Sequence, residues 1–225
     1  MRDIDLTVLP KNNDEYSTKV YWDERYSKTD HNVVFDWFKT YSEIKGLVNS
    51  AIPNKQAKIL MLGCGNSSLS EDMYNDGYHN IVNIDFSEVV ITQMQERCKD
   101  TPMQWQVMDI LDLKYPDNEF DAIIDKGTMD ALMCEKGDVW DPSQELIATV
   151  KKEVDGAERV LKPSGVFLYI TFGQPHFRKR FLYRDSWELQ VETLGTSFHY
   201  FAYICTKRPL SHATSHTLEL VDQCL

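Results

Sequence analysis

The feature that most constrains the fold is a buried apolar segment that runs directly into a glycine turn. Residues 59–66 read Ile-Leu-Met-Leu-Gly-Cys-Gly-Asn, and a second apolar run, residues 81–84, ends at Asp85. An acid about 20 positions after the glycines is the spacing of nucleotide-binding βαβ units. Gly63 and Gly65 let the backbone approach a ligand closely, and Asp85 can accept the hydroxyls of a ribose. The pattern predicts an adenosine-like ligand at the carboxyl ends of parallel strands.

The same turn indicates which kind of adenosine ligand fits. Ser68 stands where dinucleotide-binding folds have a third glycine, which lets the helix N-terminus meet a pyrophosphate. This departure disfavours NAD and FAD and favours a ligand without phosphates, of which S-adenosylmethionine is the common one. The simpler alternative is an ordinary strand-to-helix turn in which the glycines only allow the chain to bend tightly.

A third pair of candidate residues follows the next predicted strand. Met108 and Asp109 come directly after residues 103–107. An apolar side chain there can pack on an adenine ring, and a polar one can meet the edge of the ring. The alternative for Asp109 is a cap on the turn that follows it.

The composition limits the classes of partner. The chain has 225 residues, a formal net charge of −11 and a pI of about 5.0. This balance disfavours nucleic acid and favours a cationic substrate or a basic protein partner. No run reaches the ~20 apolar residues of a membrane span. Five scattered cysteines without a metal-binding pair indicate reduced thiols in the cytoplasm and no metal site.

Apolar periodicity predicts an α/β fold. Segments typical of strands alternate with segments typical of helices, which indicates a Rossmann-like, doubly wound sheet covered on both faces. Residues 187–193 and 199–206 alternate like an antiparallel hairpin, giving seven strands in all. We expect a flexible N-terminus, residues 1–17, and one domain over residues 18–225. The five parallel strands are predicted at 58–62, 81–84, 103–107, 120–124 and 165–171, and the helices between them at 67–76, 87–98 and 144–161.

The loop after the fourth strand carries the candidate catalytic groups. Residues 125–130 read Asp-Lys-Gly-Thr-Met-Asp, and ligands lie outside the carboxyl ends of strands in such sheets. Asp125 and Asp130 are candidates to orient a cationic substrate, with Lys126 between them. The alternative is a helix start with Asp130 as a first-turn acid. His176, after the fifth strand, is a candidate proton acceptor or a structural residue.

These motifs resemble those of the class I methyltransferases that act on lysine in translation elongation factor 1-alpha, including the dual lysine and N-terminal enzymes. The specific parts are the Asp-Lys-Gly-Thr-x-Asp stretch, the opening Tyr-Trp-Asp-Glu-Arg-Tyr at 21–26 and Phe-Asp-Trp-Phe at 35–38. The resemblance covers about residues 18–205. Asp125 stands where members of this family often have glutamate, so the carboxylate is retained.

The resemblance implies S-adenosylmethionine as cofactor and direct transfer of its methyl group to a lysine of elongation factor 1-alpha. Aromatic faces near the sulfonium suit its charge, although core packing is the alternative for each ring. Lys126 has two open roles, binding the methionine carboxylate or pairing with Asp130. A small-molecule methyltransferase and a non-catalytic cofactor-binding protein are the alternative functions. The implied cofactor contacts are Trp22, Tyr26, Trp37, Gly63, Asp85, Phe86, Met108, Asp109 and Lys126.

Overall fold

The computed structural model describes residues 9–30, 32–134, 140–196 and 198–209. A 3-10 helix, Asn13–Ser17, precedes the first α-helix. The helices are α1 Lys19–Lys28, α2 Tyr41–Ala51, α3 Leu69–Asn75, α4 Glu88–Arg97, α5 Thr128–Leu132, α6 Gln144–Val160 and α7 Pro175–Leu182. The strands are β1 Ile59–Leu62, β2 Ile81–Asp85, β3 Gln104–Val107, β4 Phe120–Lys126, β5 Leu161–Thr171, β6 Trp187–Leu194 and β7 Tyr200–Lys207.

The strands form one seven-stranded sheet in the order β3-β2-β1-β4-β5-β7-β6. The first five strands in this order are parallel, and β7 is antiparallel to both β5 and β6. This confirms the predicted α/β, doubly wound sheet with a C-terminal antiparallel hairpin. The later strand of the hairpin, β7, lies next to the parallel strands, and β6 forms the edge.

Strands β1, β2, β4 and β5 are buried on both faces, and their side chains alternate between two hydrophobic clusters. Along β1, Ile59 and Met61 pack with α1, α2 and α4, whereas Leu60 and Leu62 pack with α6 and α7. This alternation of period two decides which side of the sheet receives each side chain at a strand end.

The chain departs from the predicted elements at three places. Strand β4 continues to Lys126, two residues beyond the predicted end, because Asp125 and Lys126 still pair with β5. Strand β5 begins at Leu161, four residues before its predicted start, and its pairing with β4 shifts register between Leu161 and Val166. Helix α7 occupies a stretch predicted as loop, and Pro175 is its first residue, where a missing N–H costs nothing.

The N-terminal segment packs over the carboxyl ends of the central strands. Residues 9–17 belong to the segment predicted to be flexible, and Asn13–Ser17 form a 3-10 helix whose Tyr16 contacts Trp22 and Trp37. Residues 1–8 lie outside the described residues. Among the described helices, none is long and apolar enough to cross a membrane.

Candidate active site

A cavity of about 220 Å³ lies at the carboxyl ends of β1, β2 and β4. Its floor is the glycine turn after β1 and the ends of the neighbouring strands, and its roof is the N-terminal segment. The predicted residues on its wall are Trp22, Tyr26, Trp37, Gly63, Gly65, Asp85, Phe86, Asp109 and Lys126. Met108, Asp125 and Asp130 are not on the wall.

The two glycine positions of the turn leave no room for a Cβ atom. Gly63 and Gly65 have φ angles of +56° and +51°, in the left-handed region that favours glycine. A Cβ on Gly63 would lie 2.3 Å from the Thr128 Oγ1, and one on Gly65 would lie 2.9 Å from the Tyr26 hydroxyl. The glycines therefore let the turn fit between the start of α5 and the aromatic roof.

Asp85 ends β2 and reaches the cavity with its carboxylate already oriented. Its Oδ2 accepts a hydrogen bond from the Gly65 N–H at 3.0 Å, and its Oδ1 accepts one from the Ser87 N–H at 2.9 Å. Burial raises the pKa of Asp85 to about 6, although these two backbone donors lower it. A carboxylate buried in this way gains from further donors, which the two hydroxyls of a ribose supply.

The end of β3 contributes one of its two predicted residues to the wall. Asp109 is exposed and lines the cavity, and its Oδ1 also accepts a hydrogen bond from the Leu111 N–H at 2.8 Å. Both interpretations of Asp109, as wall residue and as turn cap, therefore fit. Met108 instead packs against the hydrophobic cluster beneath α6, and its N–H bonds the Asp85 carbonyl at 3.0 Å.

The roof is an aromatic cluster. Trp22 and Tyr26 from α1 stack with ring centroids 5.7 Å apart, and Trp37 meets the Trp22 ring edge-on at 6.4 Å. Among the aromatic residues of the wall, sequence reasoning missed two, Tyr16 and Phe35. Phe35 lies within a stretch that carried the resemblance, whereas no periodicity marks Tyr16. All three predicted aromatics also belong to or pack against the core, so lining and packing are not exclusive.

Lys126 is paired with the roof rather than with Asp130. Its Nζ lies 3.1 Å from Asp36 Oδ1 and 3.1 Å from the Trp37 carbonyl oxygen. Only 5% of its side chain is exposed, and burial lowers the pKa of Lys126 although Asp36 opposes this. Of the two roles left open by the sequence, the pairing with Asp130 is therefore wrong.

Asp125 is the last residue but one of β4, and its side chain lies on the face of the sheet covered by α6. Its two oxygens accept hydrogen bonds from the Thr128 and Met129 N–H groups, each at 3.0 Å, and so begin α5. It lies beside Glu153 of α6, whose carboxyl oxygens meet no donor among the described residues. Burial raises the pKa of Asp125 to about 7, and burial with the Asp125 charge raises that of Glu153 well above its usual value. Because two buried carboxylates side by side disfavour each other's charge, we expect the pair to hold a proton.

Asp130 lies in a closed polar network beneath α7. Its Oδ1 accepts hydrogen bonds from Arg178 at 2.8 Å and Thr171 at 2.6 Å, and its Oδ2 accepts one from Tyr169 at 3.1 Å. The structure does not bring Asp125 or Asp130 to the cavity wall, because one caps a helix and the other neutralises Arg178. Both carboxylates bond groups of the protein itself here, and their contact with a substrate ammonium stays a prediction.

His176 also lies outside the wall. Its ring stacks on Trp140 with centroids 5.4 Å apart and contacts Phe177 at 4.0 Å. These ring contacts give it a structural setting on α7. Among the described residues, no cluster of histidine, cysteine and carboxylate groups could hold a metal ion.

Comparisons with known proteins agree on one family. A family model described as a methyltransferase domain matches residues 53–208. The mouse protein named EEF1A lysine methyltransferase 4 is 35% identical over 88% of this chain and 79% of its own length. The human protein named eEF1A lysine and N-terminal methyltransferase is 33% identical over 97% of this chain, but the match spans 33% of its length.

Solved structures support the fold. A structure from Methanosarcina mazei, titled as SAM-dependent methyltransferases, matches 78% of this chain and 100% of its own with a TM-score of 0.55. Its sequence identity is 17%, so the likeness concerns the fold alone.

Proposed function

The chain belongs to the methyltransferase family, and from this premise we propose that it methylates a lysine side chain of translation elongation factor 1-alpha. The predicted enzyme class and the predicted cofactor, S-adenosylmethionine, are confirmed. The observation that carries the choice of substrate is the mouse relative, which is 35% identical over most of both chains and bears a name that specifies this substrate.

The cavity has the residues that this cofactor needs. Asp85, held by two backbone donors, offers its free lone pairs to the ribose. The glycine turn gives the backbone close access, and Asp109 stands at the edge where the adenine is expected. Aromatic faces of Trp22 and Trp37 attract a sulfonium cation electrostatically. When bound, S-adenosylmethionine supplies an electrophilic methyl group.

The remaining chemistry is alignment and deprotonation of the amine. A lysine ammonium that enters an aromatic chamber loses solvation, which lowers its pKa and favours the neutral nucleophile. The amine must then lie in line with the methyl group and the leaving sulfur. In this proposal the chain shapes the cavity and excludes water from it. Asp125 and Asp130 act by holding α5 and α7 in place.

The charge of the chain suits the proposed partner. A net charge of −11 attracts a basic protein at long range and raises the rate of encounter. It also disfavours nucleic acid as partner. We place the protein in the cytoplasm, where elongation factor 1-alpha works and where its cysteines stay reduced.

The test is transfer of labelled methyl groups from S-adenosylmethionine to purified elongation factor 1-alpha, followed by mass spectrometry of its lysines. We expect label on a lysine side chain, and its loss in Asp85→Asn. Label that appears only in the small-molecule fraction of a cell extract, with none on the purified factor, would contradict the substrate while leaving the enzyme class intact.

A further inference from the structure

Asp36 is the point at which the roof of the cavity is bonded to its floor. It lies in the loop between α1 and α2, and 9% of its side chain is exposed. The Lys126 ammonium donates to its Oδ1 at 3.1 Å, and the Ser67 hydroxyl donates to the same oxygen. The Ser68 hydroxyl lies 3.0 Å from Oδ2 and 2.8 Å from Asp72 Oδ2, so these two carboxylates share its one proton. One carboxylate of the roof therefore joins the end of β4 to the loop that follows the cavity glycines.

The electrostatics of this carboxylate favour its charged form. Burial alone raises the pKa of Asp36, but the charge of Lys126 and hydrogen bonds from Lys126, Ser67 and Ser68 outweigh it and lower the pKa. Lys126 in turn is 5% exposed and has two of its three donors on the roof, on Asp36 and on the Trp37 carbonyl. Its charge is thus directed at the roof.

The bonded segment places aromatic rings at the cavity. Trp37 lines the wall and contacts Phe35 at 4.9 Å and Tyr16 at 5.8 Å. Phe38 has a φ angle of +65°, which is uncommon for a bulky residue and persists only where its surroundings hold it. Its ring lies so close to Gly127 that a Cβ there would meet it at 3.1 Å. The bonds at Asp36 are among the interactions that hold this conformation.

We propose that Asp36 and Lys126 are a pair of positioning residues that hold the aromatic roof over the bound cofactor. Lys126 then acts through Asp36 and Trp37 rather than by binding the methionine carboxylate. The inference rests on the cofactor assignment but not on the identity of the protein substrate. It therefore predicts that each substitution weakens the binding of ligands with and without an amino-acid part by the same factor.

The experiment measures dissociation constants of S-adenosylhomocysteine and of 5′-methylthioadenosine, which lacks the amino-acid part. The variants are Asp36→Asn, Lys126→Met and the double variant. Asp155→Asn is the control, because it breaks a partly exposed ion pair with Arg184 outside the cavity wall. Melting temperatures identify variants that fail to fold. The milder Ser67→Ala/Ser68→Ala variant removes two hydroxyl donors and keeps the test usable if the charge variants unfold.

We expect each single variant to weaken both ligands by about ten- to a hundredfold, the range of one hydrogen-bonded charge converted to affinity. The double variant should be no weaker than the poorer single variant, and the serine variant should weaken both ligands to a smaller extent. The control should bind as the wild type does.

Three results would overturn the inference. If Lys126→Met loses affinity only for S-adenosylhomocysteine while Asp36→Asn binds normally, Lys126 holds the methionine carboxylate. If the serine variant binds both ligands normally, and Asp36→Asn does so wherever it folds, the roof needs no such pair. A wild-type chain that binds neither ligand removes the cofactor assignment itself, whereas normal binding without methylation of elongation factor 1-alpha affects only the proposed substrate.

Discussion

Asp85 and Asp125 lie at the carboxyl ends of two strands on either side of β1, as the last residue of β2 and the last but one of β4, yet they face different surroundings. Both are buried, and both accept two backbone hydrogen bonds, Asp85 from Gly65 and Ser87 and Asp125 from Thr128 and Met129. Burial raises the pKa of both carboxyl groups, to about 6 and about 7. Asp85 lines the cavity, whereas Asp125 lies against Glu153 beneath α6.

The difference follows from the alternation of side chains along each strand. Asp85 is four residues after Ile81 and shares its face, the face covered by α1 and the roof. Asp125 is two residues after Ile123 and shares the opposite face, covered by α6. Lys126, one residue later, returns to the cavity side. A carboxylate at the end of a strand is therefore a candidate ligand group only when alternation places it on the face that borders the cavity.

The comparison extends to Asp130, for which the largest effect is expected. Asp130→Ala leaves the Arg178 guanidinium buried without its partner, which costs about 3–5 kcal/mol of unfolding free energy. Cofactor affinity per folded molecule should stay close to that of the wild type, because Asp130 is not on the wall. Chemical denaturation and calorimetry on the same sample measure the two quantities.

Asp155→Asn is the matched control for Asp130, since it breaks an ion pair that is 44% exposed on the acid side and costs about 1 kcal/mol at most. A stable Asp130→Ala that binds cofactor normally but transfers no methyl groups would give this carboxylate a catalytic role that its contacts do not reveal.

A smaller effect is expected at the Asp125–Glu153 pair. Because the folded pKa values are raised, the folded state binds more protons than the unfolded one above about pH 4. The protonated pair contributes its full stability to the fold below that pH, and this contribution is lost as the pH rises through the pKa values of the folded state. Glu153→Gln supplies a neutral donor to Asp125 without proton uptake, so its stability relative to the wild type should rise with pH, by at most ~1.4 kcal/mol per unit.

Denaturant unfolding at pH 5 and pH 8 measures this difference. Glu145→Gln, an exposed acid in the first turn of the same helix, should show no comparable pH dependence. Equal pH profiles for the wild type and Glu153→Gln would mean that the two carboxyl groups do not share a proton.

The sequence was sufficient for the sheet and for most of the cavity because both depend on local patterns. Apolar runs, the glycine turn and the spacing to Asp85 placed the parallel strands and one wall of the cavity correctly. The position of Asp125 was also within reach of the sequence. The prediction that β4 ends at Ile124 hides this position, because Asp125 is still in the strand and alternation places it on the face of Ile123.

Other features depend on contacts between distant parts of the chain. The Asp130–Arg178 pair joins residues 48 positions apart, and the Asp36–Lys126 pair joins residues 90 positions apart. No local period marks either pair. Tyr16 reaches the cavity only because the 3-10 helix packs on Trp22 and Trp37, which a polar N-terminal segment does not indicate.

The most direct test of the account compares Asp85→Asn with Asp125→Asn by the dissociation constant of S-adenosylhomocysteine at pH 8. The two substitutions are chemically identical and remove one carboxylate from the end of each strand. The account predicts that Asp85→Asn weakens binding more than tenfold, in line with ~1.5–3 kcal/mol for hydrogen bonds to a charged group, while Asp125→Asn stays within about threefold. Normal binding by Asp85→Asn, or a greater loss in Asp125→Asn, would contradict the assignment of the cavity to the cofactor.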